Sequence, residues 1–80
     1  MYTVYVLYSR NFDKLYIGYT SNLEARMLSH NHLGKKGYTI RYRPWEIVHT
    51  EEYPTKRAAM QREKQLKSSQ GRRFIREQLL

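Results

Sequence analysis

Two tyrosines near the N-terminus are the first residues whose type and spacing could do chemistry. Tyr5 and Tyr16 lie eleven positions apart, each in a short segment rich in Val, Ile and Tyr. A phenol combines an apolar ring with a hydroxyl that can contact phosphate or share in proton transfer. Gly18 follows Tyr16 by two residues and would clear space beside a phenol, because glycine within a strand often marks close approach of another group. Tyrosines on strands also serve for packing, so the pair alone leaves both interpretations open.

A predicted helix after these tyrosines carries a cation and a histidine on its apolar face. At about 100° per residue, one stripe contains Leu23, Arg26, Met27, His30 and Leu33. Arginine offers a planar fork that matches phosphate oxygens, and histidine titrates near neutral pH. Arg26 and His30 are therefore candidates for a phosphate clamp and a proton-transfer group. The alternative is that both lie at the edge of the stripe and extend their polar ends into solvent.

A carboxylate occupies a similar position in a second predicted helix. One stripe of this helix contains Ala59, Glu63, Leu66 and Gln70, so Glu63 is expected to face inward. A carboxylate at the floor of a cleft could bind a hard divalent cation, which prefers oxygen ligands. The alternative is a surface ion pair with Lys67 at the i,i+4 spacing, which would contribute only about 0.3–0.5 kcal/mol.

Alternating and helical patterns predict the elements that would position these side chains. We predict strands over residues 2–9, 15–20 and 45–53, with a turn over residues 10–14 joining the first two as a hairpin. The strand period places Tyr5 on one face with Leu7, and Tyr16 on one face with Gly18. The segment from Ser21 to Glu24 matches a capping box and predicts a helix from Ser21 to about residue 31 or 33.

The remaining residues complete a small mixed fold. Residues 34–43 are predicted to form a basic loop, residues 56–69 a helix that Gly71 ends, and residues 72–80 a short last helix. The order ββαβαα predicts an α+β fold in which helices flank a three-stranded antiparallel sheet. With 80 residues, the chain is expected to form a single domain over 1–80.

Composition narrows the class of function. Fifteen Lys and Arg against seven Asp and Glu give a formal charge of +8 and a pI of 10.0, above the value of about 9 typical of nucleic-acid-binding domains. The alternative is surplus charge that only maintains solubility. The absence of cysteine excludes a disulfide scaffold, a thiolate zinc site and a cysteine nucleophile. We find neither a signal peptide nor an apolar run of about 18 residues that could span a membrane, so we expect a cytoplasmic protein.

Cations interleaved with tyrosines are the candidates for nucleic-acid contacts. Phosphate contacts carry no sequence information, so we expect weak sequence preference and strong dependence on salt. Tyrosines among the cations could stack on exposed bases, whereas the alternative is an ordinary solvated surface. The candidates are Lys35, Lys36, Tyr38, Arg41, Tyr42 and Arg43 in the basic loop, and Arg57, Arg72, Arg73 and Arg76 toward the C-terminus.

Together these residues resemble the signature of the GIY-YIG nuclease superfamily. Thr3-Val4-Tyr5 is followed after ten residues by Tyr16-Ile17-Gly18, of which the second triplet matches letter for letter and the first keeps only the tyrosine. Arg26, His30 and Glu63 continue the resemblance, which covers nearly the whole chain. The chain is most similar to small stand-alone bacterial GIY-YIG proteins described as endonucleases, which share the pattern Tyr38-Thr39, Arg41, Arg43 and Pro44-Trp45.

The resemblance implies a metal-dependent endonuclease that hydrolyses phosphodiester bonds, most consistent with DNA as substrate. Glu63 would hold one divalent ion, Mg²⁺ or Mn²⁺, and Arg26 would neutralise charge on the phosphoryl group. Tyr5 would help to activate the attacking water. Tyr16 and His30 would position water and phosphate, and Gly18 would allow backbone and substrate to approach closely.

Two departures from the family pattern bear on targeting and activity. Many members carry a polar residue, often Asn, after the helix with the glutamate, whereas here no Asn follows Asn31 and only Ser68 and Gln70 could substitute. Larger relatives add DNA-targeting domains, so this chain is expected to recognise nucleic-acid structure or to use a partner protein. The alternatives are a non-catalytic nucleic-acid-binding module that retains the fold, and a basic scaffold that binds an acidic protein.

Overall fold

The strands form one antiparallel sheet in a computed structural model that describes residues 1–33 and 37–80. Strand β1 (Tyr2–Ser9) is central, between β2 (Lys14–Thr20) and β3 (Glu46–Tyr53). Both faces of β1 are covered, which explains its run of apolar residues, whereas β2 and β3 are edge strands. The predicted α+β fold, with a three-stranded antiparallel sheet and helices in the order ββαβαα, is confirmed.

Helical segments cover the sheet. Helix α1 (Leu23–Leu28) continues as a π-helical turn (Ser29–Leu33), and α2 (Tyr38–Arg41) is a single short turn. Helix α3 (Lys56–Lys67) is followed by α4 (Ser69–Phe74) and a second π-helical turn (Ile75–Leu79). No helix within the described residues combines the length and apolar character needed to cross a membrane.

The core consists of two clusters. One buries β-sheet residues against the C-terminal helices and contains Val4, Val6, Ile17, Ala59, Leu66 and Ile75. The other contains Tyr5, Leu7 and Trp45, with Tyr16, Leu23, Met27 and Tyr42 packed against it. The alternation in β1 thus sends Val4 and Val6 to the first cluster and Tyr5 and Leu7 to the second, as the strand period predicts.

The start of α1 differs from the sequence prediction. Asn22, not Ser21, is the N-cap, and its side-chain oxygen accepts a hydrogen bond from the Ala25 backbone N–H at 3.1 Å. The Asn22 backbone N–H in turn donates to Thr20 Oγ1 at 3.1 Å. The predicted capping box is therefore wrong, because the neighbouring Asn offers an equally good capping side chain one residue later.

Two later boundaries also differ. Residues 38–41 form α2 within the segment predicted as a loop. Helix α3 ends at Lys67, because Ser68 adopts an extended conformation and its Oγ accepts from the Gly71 backbone N–H at 3.1 Å. Gly71 therefore lies inside α4 and does not end α3. A Cβ at Gly71 would lie 2.3 Å from the Gln65 backbone oxygen, so close packing at the corner between the helices requires glycine.

Candidate active site

A hydrogen bond between a buried tyrosine and a buried histidine is the centre of the candidate site. Tyr5 Oη lies 3.0 Å from His30 Nε2, joining the central strand to the π-helical turn after α1. Tyr5 is fully buried and His30 is 4% exposed. The Tyr16 ring lies 6.3 Å from the Tyr5 ring and 4.8 Å from the His30 ring, centroid to centroid. The predicted strand and helix faces thus bring these three side chains together.

The surroundings keep both partners of this hydrogen bond uncharged. Burial lowers the pKa of His30, and the nearby Arg26 and Arg43 charges lower it further. Burial raises the pKa of Tyr5, and the hydrogen bond with Arg26 only partly opposes this effect. At neutral pH the imidazole and phenol are therefore both uncharged, and the Tyr5 hydroxyl can donate to an unprotonated His30 Nε2.

Gly18 provides the space that the Tyr5 hydroxyl occupies. It pairs with Tyr5 across β1 and β2, and a Cβ at Gly18 would lie 2.6 Å from Tyr5 Oη. The same Cβ would lie 3.3 Å from a Tyr16 ring carbon. Only glycine fits this position without displacement of the phenol. This steric limit explains why a glycine lies opposite Tyr5.

Arg26 lies at the solvent side of the phenols. The residue is exposed, which matches the edge position that the helical stripe left open and not the inward one. Its guanidinium nevertheless interacts with the hydroxyls of Tyr5 and Tyr16, and these contacts raise the pKa of Arg26. A permanent cation thus borders the buried Tyr5–His30 pair and remains accessible to an anionic ligand.

Glu63 approaches the same cluster from α3. Its side chain is 21% exposed and pairs with Lys67, with Nζ at 3.5 Å from Oε1. Its charge contributes to the raised pKa of Tyr5, which associates the carboxylate electrostatically with the phenol. Ala59 and Leu66 are buried on the same helix and orient Glu63 as the stripe predicts, but exposed Gln70 belongs to α4 and breaks that stripe.

The donors present fit a divalent ion held mainly by water and substrate. Across residues 1–33 and 37–80, no group of three or more His, Asp or Glu side chains could enclose a metal among themselves. Glu63 offers a single, half-buried carboxylate. Mg²⁺ commonly binds through one or two carboxylates together with substrate phosphates and retained water, so Glu63 matches that mode.

The predicted nucleic-acid contacts fall into different environments. Lys35 and Lys36 lie outside the described residues. Arg43 is partly buried, and its guanidinium donates to the backbone oxygens of His30 and Ser29. Tyr42 packs against the cluster of Tyr5 and Trp45. The exposed candidates are Tyr38, Arg41, Arg57, Arg72, Arg73 and Arg76, of which Arg73 pairs with Glu77 and Arg76 with Asp13.

Asn31 is a structural residue that the sequence patterns did not identify. Its side-chain amide donates to the Trp45 backbone oxygen at 3.1 Å and accepts from the Trp45 backbone N–H at 2.7 Å. The Trp45 indole N–H donates to the Thr39 backbone oxygen at 2.7 Å. The segment before β3 is thus attached to the π-helical turn that carries His30. An Asn beside His30, upstream of Pro44-Trp45, was the available signal.

Comparisons with known proteins identify the family and the fold that this chain resembles. The model of the GIY-YIG catalytic domain matches residues 1–76. A UPF0213 protein of Natronomonas pharaonis is 46% identical over 65 residues, covering 81% of this chain and 75% of the relative. A UPF0213 protein of Bacillus velezensis is 40% identical over 70 residues, covering 84% and 71%. The solution NMR structure of the UPF0213 protein BH0048 from Bacillus halodurans aligns with a TM-score of 0.55 at 26% identity, covering 94% of this chain and 82% of that one.

Proposed function

Because the chain belongs to the GIY-YIG catalytic-domain family, a nuclease family, we propose that it is a divalent-metal-dependent endonuclease that hydrolyses phosphodiester bonds in DNA. We further propose that it selects its substrate by structure and not by sequence. The observation that carries the proposal is the 3.0 Å hydrogen bond between Tyr5 Oη and His30 Nε2, beside an accessible Arg26 and the Glu63 carboxylate. The Tyr5–His30 pair offers a proton acceptor, Arg26 offers a cation that contacts the Tyr5 hydroxyl, and Glu63 offers an oxygen ligand whose charge acts on the same phenol.

The Tyr5–His30 pair would receive the proton of the attacking water. Tyr5 has a raised pKa, so its phenolate is scarce at neutral pH and it is a poor base alone. His30 has a lowered pKa, so its imidazole is uncharged at neutral pH and its Nε2 would accept the proton. As water attacks phosphorus and the bond from phosphorus to the departing 3′ oxygen breaks, the water proton would pass to Tyr5 Oη while the Tyr5 proton passes to His30, so no free phenolate is needed.

Arg26 and Tyr16 would hold the phosphate in front of this pair. The Arg26 guanidinium can donate two parallel hydrogen bonds to phosphate oxygens and offset charge that builds as the new bond to phosphorus forms. Tyr16 contacts both the Tyr5 and His30 rings and so limits where the phosphate can lie. Gly18 leaves room for the Tyr5 hydroxyl beside that position.

Glu63 would hold the divalent ion, Mg²⁺ or Mn²⁺. Its partner Lys67 is half exposed at 3.5 Å, a contact weak enough to be exchanged for an ion. When bound, the ion supplies Lewis-acid stabilisation of the phosphate and of the departing 3′ oxygen. The protein's own contribution is to fix the carboxylate by packing Ala59 and Leu66 against the sheet.

The deciding experiment compares wild type, Glu63→Gln and Glu52→Gln on labelled linear, flapped, branched and single-stranded DNA. Each reaction contains Mg²⁺, Mn²⁺ or EDTA. Glu52→Gln is the matched control, because Glu52 is an exposed carboxylate of β3. We expect cleavage with metal by wild type and Glu52→Gln, and none with EDTA or by Glu63→Gln. Binding without cleavage on every substrate would instead support the non-catalytic module.

A further inference from the structure

A basic groove along the outer edge of β2 adjoins the candidate active site. Its volume is about 440 Å³, within the range of roughly 300–1,000 Å³ typical of small-ligand sites. Its wall includes two tyrosines and four cations, namely Tyr16, Tyr38, Lys14, Lys67, Arg72 and Arg76. Because β2 is an edge strand, no further strand of residues 1–33 and 37–80 covers this side of the sheet.

Two residues connect the groove to the reacting centre. Tyr16 lines the groove and also contacts the rings of Tyr5 and His30. Lys67 lines the groove and pairs with Glu63 at 3.5 Å. A phosphate held between Arg26 and Glu63 would therefore lie at one end of the groove, and the neighbouring nucleotide of the same strand would enter it.

The aromatic wall suits a nucleobase that is not stacked in a duplex. The centroids of the Tyr16 and Tyr38 rings are 6.3 Å apart, and the ring planes are inclined by only 27°. The two rings thus have similar orientations and together form a stepped aromatic surface. Tyr38 remains 43% exposed, although aromatic rings usually contribute most to the stability of a fold when they are buried. A base inside a double helix has both faces covered by its neighbours, whereas an unpaired base can stack on such a surface.

The cations are suited to the phosphates of the same strand. The Arg72 side chain makes no hydrogen bond or ion pair among residues 1–33 and 37–80, so its guanidinium is available to a ligand. Arg76 instead donates to Asp13, at 3.0 Å, and both residues line the groove. Asp13 also accepts from the Tyr8 hydroxyl at 2.9 Å, so its negative charge is engaged and offers little repulsion to phosphate.

We propose that this groove is the binding site for an unpaired nucleotide next to the scissile phosphate, with its base on Tyr38 and its phosphate between Lys67 and Arg72. This inference rests on the proposed function for the position of the scissile phosphate. It assigns the substrate strand to the β2 edge and α4, and it gives Lys67 a role that its position in the sequence does not suggest.

The test measures binding separately from cleavage. Anisotropy of a fluorescent DNA duplex with an unpaired end is followed in EDTA, where metal-dependent hydrolysis cannot occur. The variants are Arg72→Gln, Lys67→Gln and Tyr38→Leu. The matched controls are Lys64→Gln, an exposed cation of α3 outside the groove, and Tyr38→Phe, which keeps the ring.

We expect Tyr38→Leu to weaken binding about 5- to 100-fold, the loss typical of one base–aromatic stack, and Tyr38→Phe to preserve it. Arg72→Gln and Lys67→Gln should each reduce the slope of log K against log salt by about 0.7, because each removes one phosphate contact to a single strand. Lys64→Gln should leave both quantities at the wild-type values.

An abasic scan identifies the nucleotide that enters the groove. One abasic position next to the cleavage point should weaken binding to wild type and have no further effect on Tyr38→Leu. If Lys64→Gln reduced the salt slope as much as Arg72→Gln does, the proposal would be overturned. Wild-type affinity of Tyr38→Leu would overturn it as well. Either result leaves the nuclease proposal intact, because that proposal is decided by cleavage with Glu63→Gln.

Discussion

Gly18 lies directly opposite Tyr5 in the antiparallel pair of β1 and β2, and a Cβ at Gly18 would lie 2.6 Å from Tyr5 Oη. The hydroxyl that bonds His30 thus occupies the volume that any other residue would fill. Because Tyr5 is fully buried, its ring has no free space into which it could move without disturbing the core.

This contact predicts the effect of Gly18→Ala. The added methyl group should displace the phenol, weaken its hydrogen bond to His30 and lower the cleavage rate about 100-fold, the scale expected for a catalytic group moved by about 1 Å. Overpacking should also lower the free energy of unfolding by about 1–3 kcal/mol. Cleavage assays and urea denaturation measure the two effects. Tyr5→Phe is the comparison, since it removes the hydroxyl without adding an atom, and wild-type cleavage by Gly18→Ala would contradict the assignment.

The dependence of cleavage on pH should report on His30. Only unprotonated Nε2 can accept the Tyr5 proton, so the rate should rise as pH increases through the pKa of His30. Burial and the charges of Arg26 and Arg43 hold that pKa below 6.5, and the acidic limb should therefore lie below 6.5. His30→Gln should remove the limb and lower the rate about 10²- to 10⁴-fold. NMR titration of His30 measures its pKa independently. If the acidic limb of the cleavage rate did not fall at that pKa, His30 would be excluded as the proton acceptor.

Arg43 allows a prediction that distinguishes support of His30 from contact with substrate. Its guanidinium donates to the backbone oxygens of Ser29 and His30, and its charge lowers the pKa of His30. Arg43→Gln should therefore raise the His30 pKa and shift the acidic limb to higher pH, whereas Arg43→Lys should preserve the charge effect. If Arg43 instead contacted phosphate, both variants would change the affinity for DNA. Arg43→Gln would also reduce the slope of log K against log salt by about 0.7–0.9. NMR titration and salt-dependent binding separate the two roles.

The sequence predicted contacts that follow regular periods and missed those made by irregular backbone. The strand period placed Tyr16 and Gly18 on one face of β2, and the helical stripe turned His30 toward the sheet. In the structure Gly18 pairs with Tyr5, and His30 lies within hydrogen-bond distance of the Tyr5 hydroxyl. The contacts of Asn31 with Trp45 and of Arg43 with Ser29 join residues 14 positions apart through a segment without regular period. Ser21 and Asn22 both suit an N-cap, so composition alone could not select Asn22.

Gly71 provides a test of the corner between α3 and α4. Replacement of a helical glycine by alanine normally raises stability by about 0.5–1 kcal/mol. Here the new Cβ would lie 2.3 Å from the Gln65 oxygen and 2.5 Å from Leu66 Cα, both backbone atoms that cannot rotate away. We therefore expect Gly71→Ala to lower the free energy of unfolding by about 1–3 kcal/mol. Exposed Gln70→Ala in the same helix is the control, and stabilisation by Gly71→Ala would contradict the geometry.

An ion pair between β3 and α3 should make stability depend on acid. Arg62 donates to both carboxylate oxygens of Glu51, at 2.8 and 3.1 Å, and Tyr53 and His49 also contact this carboxylate. These contacts lower the pKa of Glu51 from 4.5 to about 2. The folded state thus favours the charged carboxylate, so the contribution is fully present above pH 4.5 and is lost as pH falls through about 2.

Arg62→Gln should therefore lower the free energy of unfolding at neutral pH by about 1.5–3 kcal/mol, the range for hydrogen bonds to charged groups. It should also flatten the loss of stability between pH 4.5 and about 2. The matched control is Arg73→Gln, because the Arg73–Glu77 pair is exposed and should contribute only about 0.3–0.5 kcal/mol. Urea denaturation at several pH values measures both effects. If the two variants lost the same free energy of unfolding, partial burial would add nothing to the strength of the Glu51–Arg62 pair. Since Arg62 precedes Glu63 on α3, a larger loss for Arg62→Gln would show that this pair acts together with the packing of Ala59 and Leu66 to hold the helix that carries the candidate metal ligand.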